Sequence, residues 1–382
     1  MKAAVFVLAA AFVAGTVTPA QAQFGKILGG ANKAIDTKNK IDDMTFTDEE
    51  ERQMGEQVSL QLRNRFGVYQ DEKVTKYVSL VGGVLAQSST RPTIEWKFIV
   101  LDTDGVNAYA APGGFVHITR GLLGLMKNEA ELAGVLGHEI THITSKHTIH
   151  AIKKSKGISL GTDLAGSGAS YKTQVITRFA GVAYQKLFEG EWSRDDEDNS
   201  DKVGTQISNK VGYSPTGIAD VLKKIAERNA GRQERNGMFA SHPSIKDRLA
   251  NNEKLIKTEK LSATATGESR YKTYITFDAK PVTEIATSVE GAEGLAAGGK
   301  KKEDDKTEET AKKDEPKKKG GFGSGLGAIT GNKQQASTQQ ASSAGARGGV
   351  PDRDAKGGPN KNPLGVKITA AELEAFKKGI AS

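Results

Sequence analysis

The stretch LAGVLGHEITHITSKH, Leu132 to His147, decides the reading of this chain. Of six histidines in 382 residues, four fall between His138 and His150, and two of these bracket a glutamate in HEITH. On an α-helix, residues four apart lie about 40° apart around the axis, so His138 and His142 project from one face. Leu132, Leu136, Ile140 and Ile143 fall roughly opposite, by the same step of about 100°. One side of such a helix can pack while the other holds metal. Two neutral imidazoles suit zinc, and a catalytic zinc site wants a third protein ligand plus an open position for water. Glu139, between the histidines and angled toward that position, is the natural general base, taking a proton from the water and returning it to the leaving amine.

The pattern HExxHxxGxxH would need Gly at Ser145 and His at Thr148, so the third ligand is sought among carboxylates. WSRDDEDNSDKVG, Trp192 to Gly204, supplies many. Ser193 suits a helix N-cap, and Asp195 and Asp196 favour its first turn through the helix dipole. On that helix Glu197 and Asp201 share a face. Glu197 can ligate zinc while Asp201 accepts the second ring N–H of a ligating histidine. Spacing alone leaves Glu191 and Asp198 as alternatives to Glu197.

Four blocks in order, NAYAAPGGFVHITRGLL, AELAGVLGHEITH, SRDDEDNSD and SHPSIKDRL, resemble the HtpX-like and CAAX-prenyl-endopeptidase-related zinc metallopeptidases, family forty-eight of the metallopeptidases. The likeness runs from about Phe46 to Leu255. It implies that Glu197, the first residue of an E-x-x-x-D element, is the third ligand, with Asp201 as the acid behind it; this chain has Ser200 where the family usually has Ala. The resemblance also implies that His242, in the His-Pro element, lies beside the zinc, either hydrogen-bonding a developing oxyanion or capping the open position in a resting state. Arg248 follows on a helix, where it can pair with a core acid.

Other histidines read as structural. On a helix continued past Ser145, His147 would lie about 180° from His138, on the apolar side, to pack or meet the surface. His117 and His150 are likewise expected not to ligate.

At the N-terminus, Lys2 precedes an apolar run from Ala3 to Val17 that ends at Ala20-Gln21-Ala22. This is the pattern of a secretory signal peptide, residues 1–22, with cleavage expected before Gln23. The run is shorter than the twenty or so residues of a membrane span. The chain has no cysteine, so it has neither disulfides nor a lipid-anchored N-terminal Cys, which suits the bacterial periplasm. A formal charge of +8 over this length points to an anionic surface more than to nucleic acid, for which no zinc-finger or helix-turn-helix signature is present.

Residues 23–45 read as a flexible lead-in. The metallopeptidase domain is expected over 46–257, beginning with a helix capped by Thr47 that carries Met54, Val58, Leu62 and Phe66 at every fourth position. A second helix is expected over Asp71 to Gln87, and strands over Ile94 to Asp102 and Gly113 to Thr119. If the latter strand edges the sheet beside the zinc, extended polypeptide can add to it by backbone hydrogen bonds. Helical patterns follow over Arg120 to Lys156, Lys172 to Glu189, Ser193 to Val211 and Thr216 to Asn229, then to about Lys257. GISLGTDLAGSGAS, after Lys156, is a Gly/Ser-rich loop or lid. Residues 258–299 form a short extension with one strand at YKTYITF. Residues 300–362 are low in apolar content and expected to be disordered, with a short helix within 363–382.

The chain therefore reads as an α+β, mainly helical gluzincin-type metallopeptidase domain with a small β-sheet and a disordered C-terminal tail. It is expected to hold one Zn2+ per subunit and to hydrolyse peptide bonds of unfolded or misassembled polypeptide in the periplasm, in envelope protein quality control. The basic tail suits peripheral contact with the envelope. Two rival readings are a chaperone or scaffold with a largely closed zinc site and little proteolysis, and a zinc-regulated structural protein tethered by its tail.

Overall fold

The computed structural model describes residues 45–154, 171–189, 192–230, 242, 245–284 and 366–380. The signal segment, the lead-in to residue 44, the Gly/Ser-rich loop at 157–170, Glu191 and the low-complexity tail lie outside the described residues.

Helix α1 (Asp48–Phe66) starts at Thr47, whose hydroxyl accepts from Glu50 N at 3.2 Å while the Glu50 carboxylate accepts from Thr47 N at 2.9 Å. This reciprocal pair satisfies donors that the first turn leaves free. Asp71 caps α2 (Glu72–Gln87) in a similar way, accepting from Lys73 N and Val74 N. Strands β1 (Lys97–Leu101), β2 (Ala108–Ala111) and β3 (Phe115–Thr119) form a mixed sheet in the order β1-β3-β2. β3 runs parallel to β1 and antiparallel to β2. The expectation that the strand after Pro112 edges the sheet is therefore corrected: β3 is central. The chain reverses through a 3₁₀ turn at Pro112–Gly114, where Gly113 has φ 71°, and a Cβ on it would lie 2.4 Å from the Arg52 backbone. That tight return lets the short AYAA run pair with β3 and take the outer position.

Both faces of the sheet are covered. Phe98, Val100, Val116 and Ile118 pack into a core shared with α2 and with the apolar side of α4 (Glu129–Thr144). Ile99, Leu101, Tyr109 and Phe115 pack on Met54, Val58 and Leu62 of α1 and on Phe179 of α6 (Tyr171–Glu189). The period-two alternation of the strands divides these two cores.

The helical pattern from Arg120 onward is broken twice. α3 (Arg120–Leu125) ends before Asn128, which caps α4 by accepting from Glu131 N at 2.9 Å. α4 ends at Thr144, Lys146 turns the chain with φ 56°, and α5 (His147–Lys154) departs in a new direction. Beyond α6 lie α7 (Arg194–Val211), α8 (Gly217–Arg228) and α9 (Ile245–Glu259).

YKTYITF is not a strand. Its first four residues close α10 (Glu268–Tyr274), in which helical spacing buries Tyr271 and, just beyond, Ile275. The Tyr271 hydroxyl donates to Leu123 O at 2.5 Å, and Arg270 pairs with buried Glu129. These contacts override the β-propensity of the segment.

A last helix, α11 (Ala370–Lys378), lies against α2 and α10. Lys76 Nζ meets Glu372 at 2.6 Å, Arg270 donates to Gly379 O at 2.9 Å, the Arg270 guanidinium sits 4.4 Å over the Phe376 ring, and Ile380 is buried. The fold is α+β and mainly helical, with one small sheet.

Helices α4 and α7 pack closely. A Cβ on Gly204 would lie 2.7 Å from the backbone of Gly137 and His138, and one on Gly137 would lie 2.8 Å from Gly204 O. Gly204→Ala is therefore expected to wedge the pair apart and destabilise the domain by about 1–3 kcal/mol, read as a lowered midpoint in denaturant unfolding.

Candidate metal centre

Along α4, the leucines and isoleucines face the core while His138, Glu139 and His142 face α7 and the segment before α9. Ser193 caps α7 by accepting from Asp196 N at 3.2 Å, so the first turns of α7 present Glu197 and Asp201 to α4. His242 enters from the segment that leads into α9, and Arg248 from the first turn of α9. All seven of these side chains, His138, Glu139, His142, Glu197, Asp201, His242 and Arg248, are almost wholly buried.

One donor atom from each of His138, His142, Glu197 and His242 lies within 4.8 Å of all the others. His138 Nε2 and His142 Nε2 are 3.0 Å apart, and His138 Nε2 is 3.3 Å from His242 Nδ1. The Glu197 carboxylate reaches His242 Nδ1 at 2.7 Å, His142 Nε2 at 3.4 Å and His138 Nε2 at 3.8 Å. A tetrahedron with zinc–ligand bonds of ~2.0–2.1 Å has edges of about 3.3 Å. The donor set is therefore the right size and of the right chemistry for zinc. Buried Glu139 Oε1 also lacks a hydrogen-bond partner, as an oxygen turned toward such a centre would.

Asp201 settles one tautomer. Its Oδ1 lies 2.9 Å from His138 Nδ1, and a carboxylate can only accept, so Nδ1 carries the proton and the Nε2 lone pair faces the other donors. Burial would raise Asp201, but the Arg248 guanidinium and His138 outweigh it and hold the carboxyl at about 2. Arg248 is the clamp: Nε and Nη2 each donate to Asp201 at 2.7 Å, and Nη1 stands 3.0 Å from Glu197 Oε2 in ion-pair range. Glu197 is likewise raised by burial, yet His242 and His138 bring it well below the usual carboxylate range. Burial pushes His138 down to about 3, against the pull of Glu197 and Asp201. For Glu139 burial dominates over His242 and His142, and its carboxyl is raised. Its Oε1 is 3.9 Å from His242 Nε2.

Thus the two HEITH histidines, Glu197 and His242 come together, with Glu139 and Asp201 alongside. Asp198 is not part of the group; it accepts from Asn251 on the exposed side. His117 sits elsewhere, against Ser59 Oγ at 2.9 Å, where burial lowers it to about 3, and His150 is exposed. The expectation for His147 needs correction. It does not lie opposite His138, because α4 has ended and the left-handed corner at Lys146 re-aims the chain. Its ring is buried with Nδ1 3.0 Å from His142 Nδ1. Trp192, not singled out in the sequence, places its ring 4.6 Å from that of His142. Its place immediately before the Ser193 cap was the available signal.

Residues 72–256 match the family model described as Peptidase family M48. The chain is 24% identical over 263 residues to the beta-barrel assembly-enhancing protease of Escherichia coli (strain K12), covering 65% of this chain and 51% of that protein. It is 28% identical over 185 residues to Metalloprotease YcaL of the same organism, covering 47% of this chain and 71% of that one. The mitochondrial metalloendopeptidase OMA1 of Schizosaccharomyces pombe is 28% identical over 176 residues, 46% of this chain and 51% of that protein. The chain spans about half the length of the beta-barrel assembly-enhancing proteases it matches. HEITH on α4, Glu197 and Asp201 on α7 and His242 beside them all fall within residues 72–256, the part of the chain that matches peptidase family M48.

Proposed function

We propose that this chain is a zinc-dependent endopeptidase, holding one zinc ion through His138, His142 and Glu197. The observation that carries the reading is the buried convergence of those three side chains beside Glu139, whose carboxylate oxygen has no hydrogen-bond partner. When bound, the ion supplies Lewis acidity that polarises the scissile carbonyl and acidifies water. Glu139 accepts a proton from the attacking water as its oxygen bonds to the carbonyl carbon. The same carboxyl returns the proton to the amide nitrogen as the C–N bond breaks. Its raised pKa suits it to both halves of that transfer. Asp201 keeps His138 in the ligating tautomer, and Arg248 keeps Asp201 ionised.

The substrate class is polypeptide, in line with the metalloproteases it resembles. We assign it to the bacterial periplasm and to envelope protein quality control. That assignment is supported by the secretory pattern of residues 1–22 and by relatives named for enhancing β-barrel assembly. Among the described residues no helix is long and apolar enough to cross a membrane.

His242 favours a second reading. Its Nδ1 sits among the other donors, 2.7 Å from Glu197, where a fourth ligand would close the site. In that state the protein would bind unfolded chains and cleave few. His242→Ala separates the two roles: proteolysis rises if His242 caps the site and falls if it steadies the developing oxyanion.

With casein as substrate, Glu139→Gln is expected to lower the turnover rate by about 10²–10⁴-fold while zinc content by metal analysis stays at one per chain. A chelator is expected to stop wild-type cleavage and added zinc to restore it; cleavage that survives either treatment removes this mechanism.

A further inference from the structure

We propose that His147 is a positioning residue for the metal centre, accepting the Nδ1 proton of His142 and so holding that ring with its Nε2 lone pair toward the ion. The inference rests on the zinc reading above and concerns how one of its ligands is oriented.

The proton count leads to it. His142 Nδ1 and His147 Nδ1 are 3.0 Å apart, so one proton lies between them. If it belonged to His147, neutral His142 would carry its own proton on Nε2, aimed at His138 Nε2 only 3.0 Å away and into the donor cluster. A protonated Nε2 cannot ligate. The proton therefore sits on His142 Nδ1, and His147 carries its hydrogen on Nε2. That nitrogen faces Asp196 Oδ1 at 3.6 Å and Asn199 Nδ2 at 3.2 Å. A proton on His147 Nε2 requires the Asn199 amide to be flipped, exchanging the Nδ2 that faces both the ring and Ser145 Oγ at 2.9 Å for Oδ1, which accepts from the ring N–H and from the Ser145 hydroxyl. The Ser200 hydroxyl lies 3.3 Å from His147 Nδ1 on the remaining side. His147 thus does for His142 what Asp201 does for His138, with a neutral acceptor in place of a charged one.

The backbone is built to deliver this ring. Lys146, a side-chain-bearing residue at φ 56°, adopts the left-handed conformation, in which Cβ crowds the following carbonyl oxygen. Buried Glu51 on α1 holds it there, meeting Lys146 Nζ at 2.5 Å and Arg91 Nη1 at 2.8 Å. Arg91 also donates to Ile143 O at 3.3 Å, at the end of α4. On the far side of the corner, the Thr148 hydroxyl donates to Ala110 O of β2 at 3.4 Å. Strain of this kind persists where surrounding contacts fix it, and here those contacts bring the first residue of α5 beneath the ligand ring.

Two measurements test the assignment. In zinc-loaded protein labelled with ¹⁵N in its imidazoles, two-bond ¹H–¹⁵N correlations should show His142 protonated at Nδ1 and His147 at Nε2; a proton on His147 Nδ1 overturns the proposal. In competition with a chromophoric chelator, His147→Phe, which fills the space without an acceptor, should bind zinc about 10–100-fold more weakly. His147→Asn, whose Oδ1 can stand in for Nδ1, should remain near wild type. A His147→Phe protein that holds zinc as tightly as wild type, with Asn no different from either, overturns the proposal even if the zinc reading stands. Wild type that takes up no zinc overturns the zinc reading itself. Should His147→Phe fail to fold, the tautomers of the wild-type protein decide.

Discussion

Two carboxylates are buried side by side on α7, and one guanidinium lies against both. Glu197 and Asp201 lie one helical turn apart, away from solvent, and Arg248 stands against each of them. Without a cation the pair would have to take up protons to stay buried, since an unpaired buried charge is far more expensive than a neutral acid. A protonated Glu197 is a poor ligand, and a protonated Asp201 no longer dictates which nitrogen of His138 carries hydrogen. The tautomer of His138 thus traces to Arg248 through Asp201, while His242 and His138 themselves hold Glu197 ionised. Because Arg248 comes from α9 and its partners from α7, the same contact fixes the seating of α9 and with it the approach of His242.

A second constraint is distance. The carboxylates of α7 reach the imidazoles of α4 because two glycines, Gly137 and Gly204, let the helix backbones come nearly into contact. Dispersion and hydrogen bonding reinforce this approach, as where the Ser208 hydroxyl donates to Ala133 O at 3.1 Å. Helix α4 consequently serves two environments: one face belongs to the larger core with α2 and the sheet, the other to a densely charged chamber. The ionic side is made from few residues, while the apolar side anchors them.

Local periodicity made much of this legible. The i, i+4 spacing of His138 and His142, the caps at Thr47 and Ser193, and the shared face of Glu197 and Asp201 depend only on helix geometry, and helices form at all these places. Features governed by non-local contacts were not legible. AYAA has too few residues to show a period, so β2 went unseen and β3 was assigned to the wrong place in the sheet. YKTYITF looks like a strand until Tyr271 finds Leu123 O and Arg270 finds Glu129. His147 was extrapolated along a helix that stops, because nothing in SKH signals that a lysine will turn left-handed; the reason lies about a hundred residues earlier, in Glu51.

Helix α11 returns to the domain after residues 285–365, and it is fastened by Lys76, Arg270 and the burial of Ile380. Bringing the ends of roughly eighty residues together costs about 4 kcal/mol of entropy beyond a constant, which the seat of α11 must offset. The Lys76–Glu372 ion pair, the Arg270–Gly379 hydrogen bond and the buried Ile380 are the contacts that supply this offset, so α11 behaves as a clasp on the face of α2 and α10.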